Sequence, residues 1–500
     1  MNHVEVLTAF TAAHDEYFEP LSQRQIEGVY ARVLQELLPP DWQVVRSEVW
    51  LGAQRRREQP GPAQGFKIHV SSIPPHAEAI LRAVVPLLLE VDVDFKVAAD
   101  PQFLVMMNGK RYNRGGSGKF MAIYPRTTEQ FVELMERLYE RTQPLGFLGP
   151  YILSDRRYRD SRILYYRYGG FTHQTRLLAD GTSEHVIRDP EGNAVPDRRL
   201  AYFQLPSWVA DPFGGSSGVP TGTAPVLKER YEVRKVLAYS NSGGVYIAHD
   251  RVGDRTVIVK EGRPYTAQWQ VGNRFVDAPE LLAREHAILE RLHDLGTVPE
   301  PIDFFQEWEH TFQVQEQVVG FTLQRYWAAS PNILTPYVLR PGRIAEFLPK
   351  FVDLGISLID SMRAIHERGV VLGDVSPNNV VVDPLSMKVR FIDLESAVRP
   401  EVDQDYLRFS AQWATPGFRR AGGGRDRQIG YDDDLYGLGM LLYCSIAPVQ
   451  GFLALNPEAH GRILERFVEL GLPRAVMQAI QDLCDGRVEE GRARLLSLRN

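Results

Sequence analysis

Cysteine is almost missing from this chain. Only Cys444 and Cys484 occur in 500 residues, far apart and without CxxC spacing. That excludes a disulfide framework and a cysteine-rich zinc site, and it suits a reducing, cytoplasmic setting. A basic surplus is missing too. The formal net charge is −6, whereas a general nucleic-acid binder carries an excess of Lys and Arg. The start, MNHVEVLTAF, has an early glutamate and no long apolar run, so no signal peptide is expected. One uncharged stretch, residues 435–455, is long enough to cross a bilayer. It contains Gly437, Gly439, Pro448, Gln450 and Gly451 and follows Asp432, Asp433 and Asp434. A buried helix ending near Pro448 is therefore expected, with no membrane association.

The length exceeds what one hydrophobic core serves, which predicts two or three domains. The sharpest change in composition is DPFGGSSGVPTGTAP, residues 211–225, where Gly, Ser, Pro and Thr dominate as in a flexible linker. The reading is an α+β multidomain chain: a first domain over 1–210, a linker over 211–225 and a second domain over 226–500. In the first, strands are expected at 42–51, 66–71, 91–97, 120–124 and 162–168, with helices at 76–90 and 128–141. In the second, short strands precede a mainly helical remainder, the order of a bilobal protein kinase.

Residues with chemistry follow that order in the second domain. AYSNSGGVYIAHD matches the glycine-rich phosphate-covering hairpin only at Gly243 and Val245. VIVK places Lys260 where a kinase lysine meets the α/β-phosphates, and Glu285 in LLAREHAILERL is its natural partner. LGDVSPNNVVV keeps the D-x-x-x-x-N spacing: Asp374 would orient and deprotonate an attacking hydroxyl, and Asn379 would hold magnesium. In FIDLES, Asp393 takes the place of the second metal-binding aspartate, with Leu394-Glu395 replacing Phe-Gly. Leu372-Gly373 replaces the His-Arg before Asp374, so an arginine that reads activation-loop phosphorylation is missing. Asp434 resembles the helix aspartate that props up a kinase catalytic loop.

The first domain carries a second cluster. In NGKRYNRGGSGKF, four cations (Lys110, Arg111, Arg114, Lys119) surround a glycine run whose amides could face phosphate oxygens, yet the Walker pattern fails at Asn113 and Phe120. Lys96 in VDFKVAAD sits in an apolar run, where desolvation makes an amine a usable base. His69 in GFKIHVSS, beside Lys67, could donate a proton, and Arg156, Arg157 and Arg167 can clamp a phosphate. A base, an acid and a cationic clamp would expel phosphate from phosphoserine or phosphothreonine. The same residues would also serve a phosphopeptide-binding module.

Taken together, KIHVS, DFKV, KRYNRGGSGKF, GPYILSDRRY and a kinase with GDVSPNN resemble the class III lanthipeptide synthetases and the related class IV enzymes. The resemblance covers essentially the whole chain. It implies a phosphothreonine-lyase-like domain followed by a Ser/Thr kinase, using ATP or GTP and Mg2+ on a ribosomal leader–core precursor peptide. It implies His69 as the acid and Lys96 as the base, with Lys119, Arg114, Arg156 and Arg157, beside Lys67, holding phosphate. Family members continue into a cyclase. None is expected within this chain, so ring formation would need a separate cyclase or a cyclase domain beyond Asn500. Two alternatives are an ordinary Ser/Thr kinase with a phosphopeptide-reading domain and a pseudokinase scaffold.

Overall fold

The computed structural model describes residues 26–58, 61–172, 174–214, 225–271, 274–329, 342–411, 415–420, 427–448, 456 and 458–499. Its first domain is built on a seven-stranded antiparallel sheet in the order β1-β2-β4-β5-β3-β7-β6. The strands are β1 (Trp42–Ser47), β2 (Trp50–Arg55), β3 (Gln64–Val70), β4 (Phe95–Ala98), β5 (Met121–Ile123), β6 (Arg156–Arg157) and β7 (Leu164–Gly170). Alternation along each strand sorts side chains onto two faces. Phe66, Ile68, Val70, Phe95 and Val97 join one buried cluster with Ile80, Val84, Phe131 and Leu138 from helices α1 (Pro74–Glu90) and α2 (Thr128–Thr142). Thr127 caps α2, its side chain accepting from the Gln130 amide. The opposite face carries the polar residues.

Residues 42–51, expected as one strand, are a hairpin: the chain turns at Glu48, which adopts a left-handed φ of 53°. Likewise Val91 and Asp92 close α1, and the strand expected at 91–97 begins only at Phe95. A further small sheet, β8 (Thr175–Leu177), β9 (Ser183–Arg188) and β10 (Ala194–Pro196), follows. The boundary drawn at residue 210 falls within packed structure. Asp211 accepts from Tyr166 at 3.0 Å, and Phe213 packs edge-on against Tyr158 and Tyr166. The rest of the expected linker, 215–224, lies outside the described residues.

The second domain opens with β11 (Val226–Leu227), β12 (Tyr231–Ser240), β13 (Gly243–Asp250) and β14 (Arg255–Gly262), then a hairpin of β15 (Trp269–Val271) and β16 (Arg274–Val276). Strands β17 (Pro301–Glu307) and β18 (His310–Glu316) complete a six-stranded sheet, β11-β12-β13-β14-β18-β17. Helix α3 (Ala278–Leu292), capped by Asp277, packs against it. Below lies a helical lobe on α4 (Arg343–Glu367), with the small strands β19 (Phe321–Thr322), β20 (Val380–Val382) and β21 (Val389–Phe391) at its upper edge. The uncharged stretch at 435–455 forms the buried helix Tyr431–Ile446, and residues 449–455 lie outside the described residues. Among the described residues no helix is long and apolar enough to cross a membrane.

Candidate active sites

One row across the first sheet assembles the first site. Lys96 on β4 and His69 on β3 both pair with Ala122 on β5, and the row continues through Tyr165 on β7 to Arg157 on β6. Paired residues share a face, so Lys96 and His69 stand on the same side, two strand spacings or about 10 Å apart at the backbone. Alanine between them leaves room for a substrate. Lys67, two residues before His69, lies on this face opposite Arg167. Lys119 enters from the loop above, its amine donating to the Gly115 carbonyl at 2.8 Å and to Ser154 Oγ at 3.1 Å.

Burial sets the charge states here. Lys96 is half-buried with its amine 4.4 Å from the Trp50 ring centroid; desolvation and the charge of Arg199 lower it to about 8. Lys119 is lowered to about 8, first by burial, against the pull of Asp155. Lys67 is pushed well down by burial and Arg167. His69 Nδ1 bonds the fully buried Asp155 carboxylate. Burial raises Asp155, but Lys119 and His69 more than reverse this and hold it far below the carboxylate range. His69 itself is lowered to about 3, chiefly by burial and despite Asp155, so its ring is neutral at neutral pH.

Other expectations change as well. The glycine-run amides are not turned to a ligand: Gly115 donates to Asn113 Oδ1, Gly116 and Ser117 to the Asn113 carbonyl, and Gly118 to Asn108 Oδ1. Arg156 pairs in register with Tyr166 and so points to the opposite face, where it bonds Asp211 and lies over Phe203. Arg157 shares the His69 row but is taken by Glu309 of the second domain, in a bidentate pair at 2.6 and 2.5 Å. Arg114 lies over Tyr239 of the second domain. Arg199, Asp155 and Asp197 belong to the site and were missed. Arg199 acts electrostatically on Lys67, Lys96 and Lys119, and Asp197 pairs with Arg167. The sole sequence signal for Arg199 was the DRRL cluster ahead of the linker.

The second site lies between the two lobes. Lys260 on β14 donates to Glu285 at 2.6 Å and to Asp393 at 2.8 Å. Burial lowers Lys260, and Asp393 and Glu285 more than reverse it, so the amine stays charged. Glu285 also accepts from the Leu394 amide at 2.9 Å, tying α3 to the Asp393 segment. Asp393 has a left-handed φ of 60°, a strained backbone that surrounding contacts must hold. Val245 pairs across to Lys260. Gly243 closes the β12–β13 hairpin, and a Cβ there would lie 1.9 Å from the Glu261 carbonyl.

Asp374 accepts from both the amide and the hydroxyl of Thr415, at 2.9 and 2.7 Å, and from Asn379 Nδ2 at 3.0 Å. Burial raises its carboxyl, and Thr415 opposes that. Thr415, missed in the sequence, thus orients the carboxylate. Asp434 accepts from the Leu372 and Gly373 amides at 2.7 and 2.8 Å, as its propping role requires. Gly373 sits at φ 84°, with Ile429 and Ser396 crowding its Cβ position, so the absent arginine has neither backbone nor space. An amide oxygen from Asn379 and a carboxylate from Asp393 are the hard oxygen donors Mg2+ takes, with phosphate supplying the remainder. These two residues fit that ion.

Residues 30–224 match the family model described as RamC, N-terminal domain. The first domain is thus similar to the RamC N-terminal domain. The chain is 33% identical over 435 residues to the probable SapB synthase of Streptomyces coelicolor, covering 86% of this chain and 45% of that protein. The second, kinase-like half is similar to serine/threonine-protein kinase PknA of a Nostoc species, 28% identical over 223 residues, 43% of this chain and 36% of the relative. It is also similar to the kinase pkn2 of Myxococcus xanthus, 26% identical over 224 residues, 44% of this chain and 24% of the relative. The chain thus spans less than half the length of these curated relatives. Beside this RamC-like domain stands a kinase-like domain, and the resemblance to the lanthipeptide synthetases holds.

Proposed function

We propose that this chain dehydrates serine and threonine in a ribosomal precursor peptide by phosphorylating them and then eliminating the phosphate. The second domain transfers a phosphoryl group from ATP or GTP. Asp374, oriented by Thr415 and Asn379, accepts the hydroxyl proton, and Lys260 meets the nucleotide phosphates. Mg2+, held by Asn379 and Asp393, would neutralise phosphate charge.

In the first domain Lys96 removes the Cα proton of the phosphoresidue. The freed electron pair forms the Cα–Cβ double bond, and the Cβ–O bond breaks toward phosphate. The leaving phosphate takes a proton from His69, leaving dehydroalanine or dehydrobutyrine. A phosphomonoester has a second pKa near 6 and carries a dianion's charge at neutral pH. Seated among Lys67, Lys119 and Arg199, the dianion offsets these cations and raises His69, which takes up a proton from water as the substrate binds and gives it to the departing phosphate.

The observation that carries this reading is the shared row of Lys96, Ala122 and His69. The intact Lys260–Glu285 and Asp374–Thr415 pairs weigh against a scaffold without turnover. The two free, buried cysteines suit a reducing cytoplasm. Partners are the leader–core peptide and a separate cyclase or cyclase domain. Mass spectrometry of a Ser/Thr-rich precursor incubated with Mg2+ and nucleotides tests the reading: each modified site should lose one water. Stable gain of phosphate would favour the plain kinase, and an unchanged cognate peptide the scaffold.

A further inference from the structure

The loop after Asn108 touches both sites. Its far end, at Lys119, lines the elimination hollow, while its near end grips the nucleotide-covering hairpin of the second domain. At the tip of β12–β13, Asn241 donates its amide to the Lys110 carbonyl and its Nδ2 to the Gly109 carbonyl, each at 3.1 Å. Arg114 lies 5.1 Å over Tyr239 on the same hairpin. The Lys110 side chain crosses to the carboxylate of Glu395. It lies close enough to act electrostatically on both Asp393 and Lys260.

Glu395 occupies the position where the metal-binding motif of kinases has glycine. It therefore adds a negative charge two residues from Asp393, in a cleft that must accept a polyphosphate. A carboxylate there repels the nucleotide unless a cation compensates it. Within the second domain Lys260 is already shared between Glu285 and Asp393. The compensating cation comes instead from the first domain. Ala238 and Ser240 stand where the glycine-rich pattern has its first two glycines, and a tip pinned by the Lys110 and Gly109 carbonyls needs little of the backbone freedom glycine gives.

We propose that Lys110 is a positioning residue of the phosphoryl-transfer centre, supplied by the first domain to neutralise Glu395 and hold the nucleotide-covering hairpin over Asp393. The proposal rests on the kinase reading above. Its test is equilibrium binding of a fluorescent ATP analogue with Mg2+ to the full chain, beside adenosine binding by calorimetry. Lys110→Ala should weaken the triphosphate about tenfold and leave adenosine unchanged, as expected for one partly buried charge pair. Lys110→Arg should bind like the parent, and adding Glu395→Gln to Lys110→Ala should restore most of the loss. Parent-like triphosphate binding by Lys110→Ala overturns the proposal. So does a parallel loss of adenosine, or a loss that Glu395→Gln leaves in place. A parent chain that binds no nucleotide overturns the kinase reading itself, and its own titration curve tells that failure apart.

Discussion

The two sites treat the same side chain in opposite ways. In the first domain, Lys67, Lys96 and Lys119 are crowded together with Arg167 and Arg199 and are all pushed toward neutrality. In the second, Lys260 sits between Glu285 and Asp393 and is driven to stay charged. Burial lowers all four. What differs is the neighbours. The first site gathers an excess of cationic side chains, which a seated anion would offset, and the proposed reading uses one of its lysines as a base. The second site balances its lysine with two carboxylates, which keeps the amine charged.

The sharpest way to break this contrast is Lys96→Ala. It should lower elimination by about two to four orders of magnitude, the range for a general base, while phosphorylation continues. Phosphopeptide would then accumulate in the mass spectrum, and undiminished dehydration would remove Lys96 from its role. Ala122→Leu fills the space between base and acid. Misplacing the reacting atoms by about an ångström can cost about a hundredfold, so elimination should fall to that extent with phosphorylation intact.

A pH profile sharpens the comparison further. Elimination from a synthetic phosphopeptide should rise with pH as Lys96 loses its proton and level off above about 8. Arg199 lowers Lys96, so Arg199→Ala should move that limb to higher pH and slow the reaction at neutrality. An unmoved limb would separate Arg199 from the base. The smallest effect is on stability. Gly373→Arg, which restores the usual kinase residue, should destabilise the second domain by about 1–3 kcal/mol, the cost of strained backbone, seen as a lower Tm. It should leave elimination from a phosphopeptide as it was.

Much of this was legible in the sequence, and the rest was hidden for physical reasons. Kinase motifs come in a fixed order along a chain, so spacing alone picked out Lys260, Glu285, Asp374, Asn379 and Asp393 as candidates, and the structure brings Lys260 to Glu285 and Asp393, and Asn379 to Asp374. Lys96 and His69 stood out as candidates because each is a polar residue in an apolar strand, and the structure puts them in one row across Ala122. Arg156 and Arg157 were not separable, since neighbours on a strand face opposite ways and only the pairing with β7 decides which faces the hollow. Asp155 and Thr415 act through space on residues far off in sequence, and no local pattern marks them. The cations of the 108–120 loop were read as one phosphate cradle. The loop instead divides between two domains, with Lys119 on one side and Lys110 and Arg114 on the other.

Release of inorganic phosphate from a synthetic phosphoserine peptide by Asp374→Asn, without nucleotide, tests the central claim most directly. Loss of the kinase base should leave elimination at the parent rate, with dehydroalanine formed for each phosphate released. A chain that binds this peptide and returns it intact would contradict the account.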